Sequence, residues 1–287
     1  MFRYDLPYYF CGLPFTRRQV GRKLAWLLGG GEIREVIKGV YVDVRVPDSP
    51  ELRSDALQLV VPSDAVVCGR AAAWLHSIDT TASSPEPLIR PQWTFQPRPT
   101  VEVRGLKVTT PAATAIELAM RLERPFALSA VDALLHARTV TRDQLREAPA
   151  TYFEESGNTQ AHQILRYADH RAASPGESWL RLRLIDAGFG QPSLQVRVEG
   201  PRRDYLIDVA YPAREVDGRR LGLEYDSDQW HSGPRAEARD ESRRTELESL
   251  GWHIIPVRRP DLWGSYPALE LATGAFLCQH PRLPRCW

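Results

Sequence analysis

The 287-residue chain holds 37 basic and 36 acidic side chains, a formal net charge of +1, with 43% hydrophobic and 25% charged residues. That is a globular composition with length for about two domains and a core needing no disulfide or structural metal, and it excludes a general polyanion binder held by a large basic excess. Lysine is confined to Lys23, Lys38 and Lys107 while the other basic residues are arginine, so no chemistry beyond position 107 can call on a lysine.

In chain order, residues 1–30 hold Arg3, Arg17, Arg18, Arg22 and Lys23 against the single acid Asp5. A nucleic-acid footprint is therefore expected first at this end. Thr16 is suited to cap a helix from Arg17 to Leu28, stopped by Gly29-Gly30-Gly31, with Val20, Leu24, Leu27 and Leu28 on one face. Glu32–Val44 alternates around Lys38-Gly39 and predicts a β-hairpin. A basic helix followed by a hairpin is the recognition half of a winged helix, with Arg17, Arg18 and Arg22 as nucleic-acid contacts. The alternative is a basic surface helix beside a structural hairpin. Residues 1–46 form this segment.

Residues 47–149 read as a mixed α/β domain. Ser54–Val61 and Gly69–Ile78 are apolar helical stretches, and 79–100 is a proline-rich loop. Val101–Thr110 alternates around Gly105 as paired strands. Pro111–Leu122 starts a helix with proline, a second helix covers Pro125–Ala137, and a third, Thr-capped one covers Thr139–Ala148. His76 and His136 stand alone in apolar helices and read as structural. Residues 150–173 are a linker or bridging helix. An amphipathic helix from about Glu177 to Ala187, closed by Gly188, opens the next domain. Strands follow at Leu194–Val198, Asp204–Pro212 and Arg220–Asp226, then a polar helix over Arg235–Leu250 and a strand over Trp252–Val257. This domain, 174–265, has the order α-β-β-β-α-β, and 266–287 is a tail. Cys11, Cys68, Cys278 and Cys286 show neither CxxC pairing nor metal-ligand spacing and are expected as reduced thiols. No apolar run approaches a membrane span and no signal-peptide core is visible, so a cytoplasmic protein without membrane contact is expected.

The acids of the second domain recur at set places. Asp208 interrupts an apolar strand, and Glu224 and Asp226 project from one side of the next, two residues apart. Glu177, near the start of the preceding helix, can reach them. Clustered carboxylates are costly to bury without a cation, and oxygen-only ligands suit Mg²⁺ or Mn²⁺. Such an ion can activate water against a phosphodiester. The alternative is that these acids are exposed strand ends paired with arginines.

The segments Ser174–Phe189, Leu194–Val198, Ile207–Pro212, Glu224–His231 and Arg239–Val257, with Asp240, Arg243, Leu247, Gly251 and Trp252 in the pattern Asp-x-x-Arg-x-x-x-Leu-x-x-x-Gly-Trp, resemble the Vsr-like branch of the PD-(D/E)XK nuclease superfamily. The resemblance covers about 174–265. It implies a restriction-endonuclease-like core in which Asp208 and Glu224 hold the metal, assisted by Glu177 and Asp226. Gln195 and Arg243 then serve substrate binding. Asp226 takes the place where many members carry lysine, which leaves water activation to Asp226, His231 or the metal. Ser227 replaces the usual glycine of that turn. The segments Pro14–Leu24, Ile33–Val42, Cys68–Asp79 and Val108–Ala119 resemble the AbiEi-type antitoxin domain over roughly 12–148, which implies a winged-helix DNA reader followed by an α/β domain.

The combined expectation is an α/β (α+β) protein: an N-terminal winged-helix-like and mixed α/β module, then the α-β-β-β-α-β core. Its expected activity is metal-dependent endonuclease cleavage, of DNA foremost. The alternative is a non-catalytic DNA-binding regulator or antitoxin. A homodimer is left open.

Overall fold

The computed structural model of the chain describes residues 10, 12–80, 88–147, 156–201, 203–226 and 234–287. They divide into two compact units, Met1–Leu122 with Ala137–Ala161, and Glu123–His136 with His162–Trp287. The helix α6 (Arg124–His136) thus belongs with the C-terminal unit although it lies inside the expected 47–149 domain.

The first unit opens with β1 (Phe15–Thr16), α1 (Arg17–Val20), α2 (Lys23–Gly29), β2 (Ile33–Ile37) and β3 (Val40–Asp43). The Thr16 N–H donates to Gln19 Oε1 at 2.7 Å, fixing the start of α1. The single helix expected over Arg17–Leu28 is two short ones. Gly21 sits at φ +59, a left-handed conformation that glycine adopts without steric cost and that ends the first helix. Leu24 and Leu27 are buried, whereas Leu28, expected beside them, is 41% exposed in the last turn of α2. The hairpin forms as expected around Lys38-Gly39, and β1 adds to it antiparallel, in the order β1-β3-β2.

Next come α3 (Pro50–Gln58), β4 (Val66–Val67), α4 (Gly69–Leu75), β5 (Trp93–Thr94), β6 (Thr100–Val103), β7 (Leu106–Thr109) and α5 (Pro111–Arg121). Their sheet runs β5-β4-β7-β6, with β4 parallel to β7. The two-residue strands β4 and β5 are too short for alternation to reveal. Val36, Val40, Leu52, Leu57, Val67, Trp74 and Val108 share one apolar core. The helix α7 (Arg142–Arg146) is capped by Thr141 rather than Thr139, through Gln144 N–H. The expected linker contains α8 (Asn158–Tyr167), through which the chain passes to the second unit. His76 Nε2 donates to Thr109 O (2.8 Å) and His136 Nδ1 to His170 O (3.0 Å), consistent with structural roles for both.

The second unit continues with α9 (Pro175–Asp186), β8 (Ser193–Val198), β9 (Tyr205–Val216), β10 (Arg219–Tyr225), α10 (Pro234–Ser249), β11 (Trp252–Val257), α11 (Arg259–Trp263) and α12 (Ala268–Leu277). The order from α9 to β11 is the expected α-β-β-β-α-β. The sheet runs β11-β10-β9-β8, antiparallel across β8, β9 and β10 and parallel between β10 and β11. Leu247 of α10 packs with Tyr205, Ile207, Trp252 and Ile254 of the sheet. Gly251, at φ +81, turns the chain from α10 into β11.

Two expectations fail here for identifiable reasons. The α9 helix is not amphipathic but buried all round from Gly176 to Ile185. Its arginines have partners on both sides: Arg181 pairs with Asp132 of α6 and with the Tyr167 carbonyl, and Arg183 with Glu270 and the Trp287 carbonyl. Nor are residues 266–287 a tail. Arg285 forms two 2.7 Å bonds to buried Glu270 of α12, and the Trp287 indole donates to Asp186 at 2.8 Å.

Candidate functional site

The strand register brings the acids together. The antiparallel pairing of β9 and β10 ends on Leu223↔Val209, and one further step puts Glu224 opposite Asp208. Opposed residues share a face of the sheet. At that step the main-chain ladder opens, and the Asp208 side chain takes the place of a carbonyl: its Oδ2 accepts the Tyr225 N–H at 3.0 Å. On the other flank, Leu194↔Val209 and Val196↔Ile207 bracket Gln195, which has φ +49. A non-glycine residue costs about 1 kcal/mol or more in that region. The conformation sends its Nε2 to Glu177 Oε2 at 2.9 Å and toward Asp208 Oδ1 at 3.4 Å.

Glu177 is held from α9. Ser174 caps the helix by accepting the Glu177 N–H (3.2 Å), and its hydroxyl returns a bond to Glu177 Oε1 (3.0 Å), while Ala173 N–H donates to Oε2 (3.1 Å). The preceding Gly176 permits this approach: a Cβ there would lie 2.0 Å from the Tyr225 ring. Glu177, Asp208, Glu224 and Gln195 are therefore one assembly built from α9, β8, β9 and β10.

Its electrostatics are those of carboxylates removed from water. Burial pushes the Glu177 and Asp208 carboxyls up, although bonds to Ala173 and Tyr225 N–H oppose it. Burial raises Glu224 to about 7, with the charges of Asp208 and Asp226 adding to the rise and Arg243 opposing it. Asp226, half-buried, anchors through its N–H to Val257 O at 2.9 Å. Arg243 does not stand open as a substrate contact. Its Nη2 lies 2.6 Å from both Glu224 Oε1 and the Leu206 carbonyl. Among the described residues it is the cation paired directly with Glu224, and the charge of Arg244 acts there as well.

Among the described residues, no three His, Cys, Asp or Glu side chains converge closely enough to cage a metal ion. An ion here would rest on Asp208 and Glu224, with waters completing its shell. His231 and Ser227 lie outside the described residues. In the first unit Arg17, Arg18 and Arg22 are all exposed on α1 and at the head of α2. The sequence reading missed the part of Tyr225, whose N–H and ring join Asp208 to the start of α9. The signal for it was the adjacency of Gly176 to Glu177 in one motif and of Tyr225 to Glu224 in the other.

The AbiEi antitoxin C-terminal domain family matches residues 65–167. This match begins just before β4, leaves the helix–hairpin segment outside, and ends with α8, past the expected limit of 148. Two relatives from Mycobacterium tuberculosis, Uncharacterized protein Rv2248 of strain ATCC 25618 / H37Rv and Uncharacterized protein MT2308 of strain CDC 1551 / Oshkosh, are each 34% identical over 258 residues, 84% of this chain and 90% of theirs. No solved structure matches the chain. No helix among the described residues is long and apolar enough to cross a membrane. At that identity and coverage, the chain belongs to the family of these two mycobacterial proteins, with the AbiEi antitoxin C-terminal domain match inside it.

Proposed function

We propose that the protein is a DNA-directed component of a toxin–antitoxin or phage-defence system, and that its C-terminal unit is a metal-dependent phosphodiester hydrolase with a restriction-endonuclease-like core. The match at 65–167 supports the first part. The exposed Arg17, Arg18 and Arg22 beside the β2–β3 hairpin support a winged-helix-like DNA contact. One observation carries the second part: Gln195 ties Glu177 to Asp208 on the strand beside Glu224.

The donor set fits Mg²⁺ or Mn²⁺, since it is all oxygen and burial raises its carboxyls, which a bound cation would offset. Asp208 and Glu224 would hold the ion, with Glu177 and Asp226 beside them. When bound, the metal supplies an acidified water and charge relief at the phosphate. Gln195 and the Tyr225 N–H fix the two Asp208 oxygens. Glu224 must shed its proton to serve as a ligand, so metal loading rises with pH around neutrality. Asp226 and His231 are the groups left to receive the water proton in a unit without lysine. Arg243, once drawn off Glu224, can meet a phosphate oxygen. Plasmid nicking in Mg²⁺ or Mn²⁺ tests this: Asp208→Ala and Glu224→Ala should each lose activity by at least about a hundredfold. Equal cleavage by wild type and both variants removes the assignment.

A second reading is a non-catalytic DNA-binding regulator. The antitoxin-domain match favours it, as does the Arg243–Glu224 pair, which neutralises one carboxylate without a metal. Salt-sensitive, sequence-specific binding to its own promoter with no metal-dependent cleavage would establish that reading instead.

A further inference from the structure

The N-terminal helices carry a large apolar side chain that the fold leaves outside. α1, the turn at Gly21, α2 and the β2–β3 hairpin follow one another in the order of a helix-turn-helix with its wing, in which the second helix enters a groove of duplex DNA. α2 buries one narrow stripe: Leu24 and Leu27 pack with Phe15 and Ile33. Trp26, off that stripe, is 55% exposed. Helical side chains lean back over the preceding turn, so the indole lies over the turn that carries Arg22 and Lys23, four and three positions earlier. Both are exposed, as are Arg17 and Arg18. Among the described residues no carboxylate pairs with Arg18, Arg22 or Lys23, and the sequence holds no acid from Leu6 to Gly31.

The rest of the segment leaves the approach to Trp26 open. Gly29, one turn further along α2, carries no side chain, and a Cβ there would meet nothing within 4 Å, so another backbone can come close. The hairpin turn, by contrast, is fastened to the protein. Lys38 N–H donates to the Ile89 carbonyl at 3.0 Å, and Ile37 and Val40 belong to the core of the first unit. Sequence reading therefore falls to α2. An aromatic side chain beside cations that lack carboxylate partners matches a polyanion showing apolar groups between its charges. Duplex DNA does so in its major groove, where an α-helix fits and each thymine presents a C5 methyl group.

We propose that Trp26 is a base-reading residue: α2 lies in the major groove of duplex DNA, the indole packs against a thymine methyl group, and Arg22 and Lys23 hold the flanking phosphates. This rests on the DNA-directed reading of the N-terminal segment and adds a division of labour to it, in which the cations give affinity and the indole gives sequence preference. The test is selection by the full chain, at low salt, from a duplex library with a randomised core of about 20 base pairs, followed by anisotropy titrations of the enriched duplex. The wild type should enrich a motif containing thymine. Replacing one thymine of the motif by uracil, which removes only the methyl group, should weaken binding about threefold. Trp26→Ala, at an exposed position and checked for folding by circular dichroism, should bind the enriched duplex about tenfold more weakly. It should also lose the thymine–uracil difference while keeping the wild-type salt dependence. Trp26→Phe should regain part of that difference. Arg22→Ala should do the reverse, lowering the slope of log Kd against log salt by about one and leaving the thymine–uracil difference intact. The inference falls if Trp26→Ala enriches the same motif with the same affinity. It falls also if sedimentation finds a wild-type dimer that Trp26→Ala dissociates, since the indole then serves self-association. A wild type that retains no duplex from the library removes the DNA-directed reading itself, and this inference with it.

Discussion

Glu224 is the residue at which the account is most exposed to measurement. Its carboxyl lies at about 7 in the folded chain against 4.5 as the ordinary value, so the folded state binds more protons than the unfolded one between those two values. Stability must therefore fall as pH rises through this window, and the raised Glu177 and Asp208 carboxyls act in the same direction. The side chain is 15% exposed. The loss expected at Glu224 is on the order of 2 kcal/mol, or roughly 3–8 °C in Tm, between pH 5 and pH 8 in metal-free buffer. Thermal melts of wild type and Glu224→Gln check it: the variant should show a clearly smaller pH dependence. Equal slopes in both proteins would show that Glu224 titrates normally. The local motif made this cluster legible, because Asp208, Glu224 and Asp226 interrupt apolar strands at readable positions. The role of Arg243 was not legible. A guanidinium on a polar helix looks like a phosphate contact until the fold sets it 2.6 Å from Glu224.

At the scale of elements, the strands of the second unit declared themselves and the burial of α9 did not. The β8–β11 segments alternate or run apolar between turn residues, and the structure differs from the reading mainly in carrying β9 on to Val216. In α9, the charges of Arg181 and Arg183 read in the sequence as polar, solvent-facing positions. They are 0% and 2% exposed because their partners, Asp132, Glu270 and Trp287, come from segments far away in sequence. Periodicity reports side-chain polarity and is blind to such a partner. The Asp132–Arg181 pair, with Ser178 Oγ 2.6 Å from Asp132, joins α6 to α9 and holds α6 in the C-terminal unit. Asp132→Ala leaves a guanidinium buried and uncompensated, with an expected cost of about 3–5 kcal/mol. Replacing both partners together, as Asp132→Leu with Arg181→Met, should cost less than the single change. Urea unfolding of the three proteins gives the comparison, and a double variant as unstable as the single one would show that the pair itself contributes the stability.

Over the whole molecule, composition anticipated a two-part chain but not where the division falls. The switch of α6 into the second unit depends on contacts made more than 30 residues later, which no linker signal records. The near-zero net charge conceals two unlike regions: an N-terminal face with Arg17, Arg18 and Arg22 exposed, and a C-terminal assembly of helix α9 and the sheet with three raised carboxyls. On the proposed function, in which the first face contacts DNA and the second site hydrolyses it, a cation is required at the second. Titration of the metal-free full chain with Mn²⁺, followed by electron paramagnetic resonance, reads that requirement without relying on activity. The account predicts one Mn²⁺ bound per chain at about pH 8, with affinity falling toward pH 6 as Glu224 takes up its proton, and binding lost in Asp208→Ala. No Mn²⁺ bound at millimolar concentration, or the same binding in Asp208→Ala as in wild type, would contradict it.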